Sequence, residues 1–254
     1  MMQVRVLPFG VLKDRLGASA STMELPEGST VADLLESLKS GPGTRLTPEA
    51  LQGIAVAVNA EFATAAQVLS AGDEVGLLPP VSGGVDSLPG PAAVEPADIG
   101  PGTVALTHQP IQVEKLTHES RRDEDGALVV FDGVVRNHSR GRPTLHLDYE
   151  AYEEMAVKQM GELVLEARSR FDLRQVTMIH RLGRLLVGET SVLIVVASAH
   201  RAPAFESCRW LIDTLKKTVP IWKRETFVDG AVWAAGEPFP PGMALEPSEA
   251  SHEE

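Results

Sequence analysis

Residues Gln3 to Leu7 alternate, with Val4 and Val6 on one side, and predict a strand. Ser21 to Leu25 predicts a second strand. Between them Val11, Leu12, Leu16 and Gly17 suggest a short helical turn or a wide hairpin. The period then changes. Val31, Leu34, Leu35 and Leu38 fall on one face of a helix, with Thr30 placed to cap it and Asp33 where a capping acid sits. Gly41, Pro42 and Gly43 end that helix. Ile54 to Val58 and Asp73 to Leu78 return to strand patterning. Strand, strand, helix, strand, strand in about 80 residues predicts an α+β unit with its helix on one sheet face.

The pattern breaks after Pro79-Pro80-Val81-Ser82-Gly83-Gly84. Residues 85–102 carry four prolines and three glycines with little apolar periodicity, the composition of a semi-extended linker. Patterning resumes near Thr103. Ala127 to Val135, Thr144 to Tyr149, Val176 to His180 and Val192 to Ala197 predict strands, the last nearly all apolar and so buried on both faces. Gly133 marks a bulge or a close approach. Tyr152, Met155, Ala156, Met160, Leu163, Val164 and Ala167 define a long helix ending near Phe171. A second helix carries Phe205, Cys208, Leu211, Ile212 and Leu215 between Pro203 and Pro220. The acidic, proline-bearing stretch 238–254 is expected to be disordered. The predicted organisation is a domain at 1–84, a linker at 85–102 and a second domain at 103–237.

Composition narrows the function. A net charge of −12 over 254 residues argues against nucleic-acid binding, which needs a basic face. No apolar run approaches the ~20 residues of a membrane span, and MMQVRVLPFG lacks the features of a secretory signal. Cys208 is the only cysteine. With no internal disulfide possible, a cytoplasmic location is expected, and the apolar neighbours of Cys208 make it a packing residue.

Against this acidic background three segments gather basic groups: Val134-Val135-Arg136-Asn137-His138, Ser198-Ala199-His200-Arg201, and Lys216 to Glu225. Taken one at a time these are ordinary solvated charges. Together, at strand ends and helix ends, they suit a small anion such as a phosphate. His138 and His200 match no metal-ligand spacing, so no metal is expected, and His180 on its apolar strand is expected to be structural. Gly83-Gly84 reads either as the start of a flexible connection or as a tail without side chains, shaped to enter a narrow channel.

The first 84 residues, through Gly72-Asp73-Glu74-Val75 and the tail Pro79 to Gly84, resemble the ubiquitin-like β-grasp sulfur carriers, above all the small-subunit (MoaD) family of molybdopterin synthase. About residues 104 to 233 resemble the large, catalytic subunit family (MoaE). The motifs are Arg122 to Ala127, Gly133 to His138, Ile179 to Gly183, Ser198 to Arg201 and Trp222 to Glu225. The resemblance implies a β-grasp domain fused to an α/β hammerhead with an added antiparallel subdomain. It implies sulfur transfer from a thiocarboxylate on Gly84 to cyclic pyranopterin monophosphate, giving the dithiolene of molybdopterin, with no further cofactor. It implies Lys216 and Lys223 as catalytic lysines, and Arg136, His200 and Arg201 in the substrate pocket with Val134, Val135, Arg224 and Glu225 beside them. The partners implied are a MoeB-like adenylating and sulfurating enzyme and a second copy, paired through the C-terminal domain, giving a heterotetramer if the chain is cut. Trp233 to Glu237 holds no basic residue, although family members can supply one there. The alternative is a ubiquitin-like carrier or modifier fused to a domain that only binds a partner.

Overall fold

The computed structural model describes residues 1–17, 20–40, 53–81, 97–98, 102–234, 239–240 and 243–244. The chain divides into two compact units, Met1–Val81 with Ala235–Glu254, and Ser82–Ala234.

In the first unit, β1 (Met2–Pro8), β2 (Ser21–Leu25), β3 (Ala55–Val58), β4 (Glu61–Ala63) and β5 (Glu74–Leu78) form one sheet in the order β2-β1-β5-β3-β4. β1 and β5 are parallel and the remaining pairs antiparallel. The short α1 (Val11–Leu16) sits between β1 and β2. α2 (Val31–Ser40) lays Val31, Leu34, Leu35 and Leu38 against Val4, Val6, Val56, Val58, Val75 and Leu77. Its start is set by a reciprocal cap: the Thr30 N–H donates to Asp33 Oδ2 at 2.8 Å, and the Asp33 N–H donates to Thr30 Oγ1 at 3.3 Å. The Thr30 N–H and the Thr30 hydroxyl, both donating to Asp33 Oδ2, lower the Asp33 pKa. Gly41 to Gly43, the expected helix end, lie outside the described residues. This is the ubiquitin-like arrangement expected, with β4 added after a two-residue turn in which Asn59 and Ala60 both have positive φ. Asn59 holds the turn by donating to Asp73 Oδ1 (2.9 Å) and accepting from the Glu74 N–H (3.0 Å).

The second unit contains two sheets. The larger has the order β6-β7-β11-β13-β8, from β6 (Ala97–Asp98), β7 (Gly102–Thr107), β8 (Ala127–Val134), β11 (Gln175–Arg181) and β13 (Thr190–Ser198). α3 (Val113–Glu119) is short and has no buried residue. α4 (Glu153–Arg170) and α5 (Arg201–Thr218) bury Met160, Leu163 and Val164, and Cys208, Leu211 and Leu215, in one core with Met178, Ile194 and Val196. Cys208 is a packing residue here, and burial pushes its thiol up to about 11. The smaller, antiparallel sheet has the order β12-β10-β14-β15, from β10 (Arg142–Ala151), β12 (Gly183–Leu186), β14 (Ile221–Phe227) and β15 (Gly230–Trp233). β9 (His138–Ser139) pairs with β10.

Two expectations meet structure at their edges. Strand pairing begins inside the stretch expected as linker: Ala97 and Asp98 pair with Val104 and Thr103, and β7 starts at Gly102. Within the tail expected to be disordered, Phe239 is 5% exposed and its ring meets Phe62 edge to face. Residues 82–96, Gly84 among them, lie outside the described residues. No described helix is long and apolar enough to cross a membrane.

Candidate active site

The end of β8 is pinned before it turns. The Val135 N–H donates to the Glu189 carbonyl (3.0 Å), and the Gly188 N–H donates to the Val135 carbonyl (2.8 Å). Val135 is buried with Leu147 and Leu185, while Val134 is exposed. Gly133 has both features its position suggested. The pairing register shifts opposite it, where Ser191 is the extra residue, and a Cβ on Gly133 would lie 2.6 Å from Val192 Cγ1. The Ser191 hydroxyl donates to the Gly133 carbonyl at 2.8 Å. Arg136 follows directly at the strand end.

β14 brings the next groups. Pro220 ends the helical stretch, and β14 starts at once, antiparallel to β10 with Lys223 opposite Tyr149. Strand alternation puts Lys223 and Glu225 on one face, 3.8 Å apart. Burial lowers the Lys223 pKa. Glu225 opposes that shift, and the positive charges of Lys216, Arg136 and Arg140 add to it. Lys216 reaches this cluster from the last turn of α5. The amine of Lys223, with its side chain 32% exposed, therefore gives up a proton more readily than a solvated lysine. It can act as an acid or base, and the cations around it can hold an anion.

A polar floor lies alongside. Burial raises the Tyr149 pKa, a hydrogen bond to Ser191 opposes this, and the charge of Glu225 adds to it. The His180 ring meets Tyr149 at 5.0 Å and 67°. Burial pushes His180 down to about 4, a hydrogen bond to the Arg181 carbonyl opposes this, and Lys223 adds to it. His180 is thus neutral and donates from Nδ1 to that carbonyl at 3.0 Å.

Arg136, Lys216, Lys223 and Glu225 come together, with Val134 and Val135 leading into the same strand end. His200 and Arg201 do not join them within one chain. They sit at the start of α5, and Lys216 is 15 residues further along, roughly 22 Å at 1.5 Å per residue. β8 gives a second ruler: Ala127 pairs with Ser198 at the His200 end, and Val134 pairs with Thr190 at the other. Arg224 is on the opposite face of β14 from Lys223, in register with Asp148. Asp148 accepts from Arg184 at 2.8 and 3.3 Å and lies 3.1 Å from His146 Nε2. His138 is exposed, with Nδ1 2.7 Å from Asn137 Oδ1. Among the described residues no group of three or more His, Cys, Asp or Glu could hold a metal ion.

Sequence reasoning passed over Arg140. It occupies the first position of the two-residue Arg140-Gly141 turn between β9 and β10, at φ 49. Asn or Gly is the comfortable residue there. A basic residue directly before a glycine, four residues after Arg136, is the sequence signal that could have found it.

Comparison with known proteins gives two matched segments. Residues 106–218 match the family described as MoaE protein, and residues 6–84 match the ThiS family. The molybdopterin synthase catalytic subunit of Pyrococcus abyssi is 40% identical over 141 residues, 55% of this chain and 95% of that protein. The same subunit of Thermoplasma volcanium is 44% identical over 127 residues, 50% of this chain and 93% of that protein. The crystal structure of molybdopterin synthase from Staphylococcus aureus covers 51% of this chain and 95% of its own, at 35% identity and a TM-score of 0.49.

Proposed function

Because this chain belongs to the molybdopterin synthase catalytic subunit (MoaE) family and carries a ThiS-family domain ahead of it, we propose that it is a fused molybdopterin synthase, a sulfurtransferase of molybdenum cofactor biosynthesis. The observation that carries the reading is the Lys223 cluster: an amine whose pKa is lowered by burial and by Lys216, Arg136 and Arg140, with Glu225 3.8 Å away. The substrate is cyclic pyranopterin monophosphate, and the sulfur donor is a thiocarboxylate on Gly84. The thiocarboxylate sulfur attacks a substrate carbon, an oxygen leaves with a proton supplied by the site, and water releases the acyl carbon as a carboxylate. Two such transfers make the dithiolene. Lys216 does covalent or acid-base work at the Gly84 carbonyl, Lys223 supplies acid or electrostatic stabilisation, and Arg136 and Arg140 face the phosphate. A second domain that only binds a partner gives no reason for this costly gathering of cations.

Two copies pair through the C-terminal domain. Support comes from the separation of the basic groups along α5, since a two-fold partner can present its start of α5 to the Lys216 end of the first copy. Edge strand β8 also exposes Val130 and Val134, and α5 exposes Phe205 one turn after Arg201. A MoeB-like enzyme in the cytoplasm activates Gly84. Because Gly84 is joined to Val85 by an amide, loading requires a cut after Gly84, in a proline- and glycine-rich stretch where proteases act readily. The test is single-turnover sulfur transfer from a preloaded donor ending at Gly84, followed by the mass gain of the pterin. Wild-type chain transfers two sulfurs and Lys216→Ala nearly none. Near-normal turnover by Lys216→Ala removes the assignment.

A further inference from the structure

The sheet of the first unit has two faces, and α2 fills one. Alternation turns Ala55, Ala57 and Leu78 to the other, and all three are fully buried. Edge strand β4 adds Phe62, opposite Ala57. Small residues at 55 and 57 leave Phe62 standing above a low apolar surface. The ring that meets it comes from beyond β15: Phe239 lies 5.7 Å from Phe62 at an interplanar angle of 75°, and is itself buried. A turn follows, with the Met243 N–H donating to the Pro240 carbonyl at 3.1 Å. The first unit therefore contains a segment that follows the catalytic unit in sequence.

We propose that the segment around Phe239 is a tether, docked on the Phe62 face of the carrier sheet, which keeps the carrier with the catalytic unit once the chain between them is cut. The chain passes between the units twice, after Val81 and again after Ala234. A cut at Gly84 removes the first passage and leaves the second. The docked segment, still continuous with the catalytic unit, then keeps hold of the carrier, whose Gly84 is no longer joined to Val85. Prolines at 238, 240 and 241 restrict the undocked segment, so docking loses less chain entropy. A buried aromatic pair at its centre supplies the contact energy. The tether matters to sulfur transfer only if the proposed cut occurs, but the docking can be tested without it.

The test uses the full chain with a site-specific protease sequence inserted after Gly90. Cut protein is diluted and passed over a sizing column, and the carrier fragment is followed. Wild-type fragments co-elute. Phe239→Ala weakens association about tenfold or more, the effect of removing a buried aromatic anchor. Phe62→Ala does the same, the double variant is no weaker than either single one, and Phe239→Leu is intermediate. Unfolding of the uncut variants checks that each carrier still folds. Phe239→Ala fragments associating as tightly as wild type, losses that add in the double variant, or wild-type fragments that separate at once would each overturn the tether. The readout is association alone, so a failure of the sulfur-transfer reading leaves it standing.

Discussion

Two groups of cations in the catalytic unit differ in what surrounds them. Near the start of α5, Arg174 is matched. Its Nε donates to Asp125 Oδ1 at 2.5 Å, and Nη2 donates to Asp125 Oδ2 and to the Ser120 carbonyl. The hydrogen bond to Asp125 raises the Arg174 pKa, and its counterpart lowers that of Asp125. Near the end of α5, Lys223 lies 3.8 Å from Glu225. Its pKa falls through burial, with the positive charges of Lys216, Arg136 and Arg140 adding to the fall and Glu225 opposing it. In the first group each charge stabilises the other. In the second, folding sets Lys223 among like charges and partly removes it from water, which costs stability, while Arg136, Arg140 and Lys216 stay exposed. A fold keeps such an arrangement where something else supplies the missing negative charge, and a phosphate-bearing substrate does so.

The largest expected effect sharpens this contrast on the mismatched side. Lys223→Met should lower single-turnover sulfur transfer by about two to four orders of magnitude, the range for losing a positioned acid or base. It should not lower stability, because it removes one of four crowded cations. The sign with pH follows. The folded chain releases the Lys223 proton more readily than the unfolded chain, so between the lowered pKa and 10.5 the unfolded state binds more protons and stability rises with pH. Denaturant unfolding should show that rise in wild type and a smaller one in Lys223→Met. A marked loss of stability in the variant would put Lys223 with the structural cations.

The matched side should respond the other way. Arg174→Met leaves Asp125 and the Ser120 carbonyl without their charged donor, and should cost about 2 kcal/mol of stability while changing sulfur transfer little. Asp125 has a lowered pKa in the folded state. Its contribution is complete above 3.8 and is lost as the pH falls through the lowered value. Wild type should lose stability across that acid window, and Arg174→Met should lose less. Equal acid sensitivity in the two proteins would mean that the pair contributes nothing.

The same contrast explains what could be read from the sequence. Most elements that face only core were legible, although β7, with Val104, Ala105 and Leu106 buried, was not read as a strand. β13 is a run of apolar residues, α4 and α5 carry clear stripes, and the Thr30–Asp33 cap was visible in four residues. β14 was not read as a strand. Its middle, Lys223-Arg224-Glu225, puts site charges where alternation would otherwise show apolar residues, and the function of the strand hid its form. The facing of Arg224 away from Lys223 follows only once β14 is known to be extended. The distance from His200 to Lys216 was available in principle, since the helix between Pro203 and Pro220 was predicted and its rise per residue is fixed. Short elements such as β12 and α3 bury too little to leave a pattern.

The smallest expected effect concerns Arg140, which carries both sides of the comparison in one residue. Its φ of 49 is a position where a side chain costs energy and glycine does not. Its charge adds to the lowering of the Lys223 pKa. Arg140→Gly should therefore leave stability unchanged or raise it by up to about 1 kcal/mol. Tyr149, His180 and Ser191 keep their places, so the fold around Lys223 should persist. With one cation gone the Lys223 pKa should move back toward 10.5, shifting the pH profile of sulfur transfer to higher pH. Phosphate contact should weaken as well, raising KM several-fold with a smaller change in kcat. An Arg140→Lys chain separates the two causes: it keeps the charge and the strain, so it should restore KM and the pH profile without the gain in stability. If Arg140→Gly instead loses stability with no movement of the pH profile, Arg140 serves the turn and not the site.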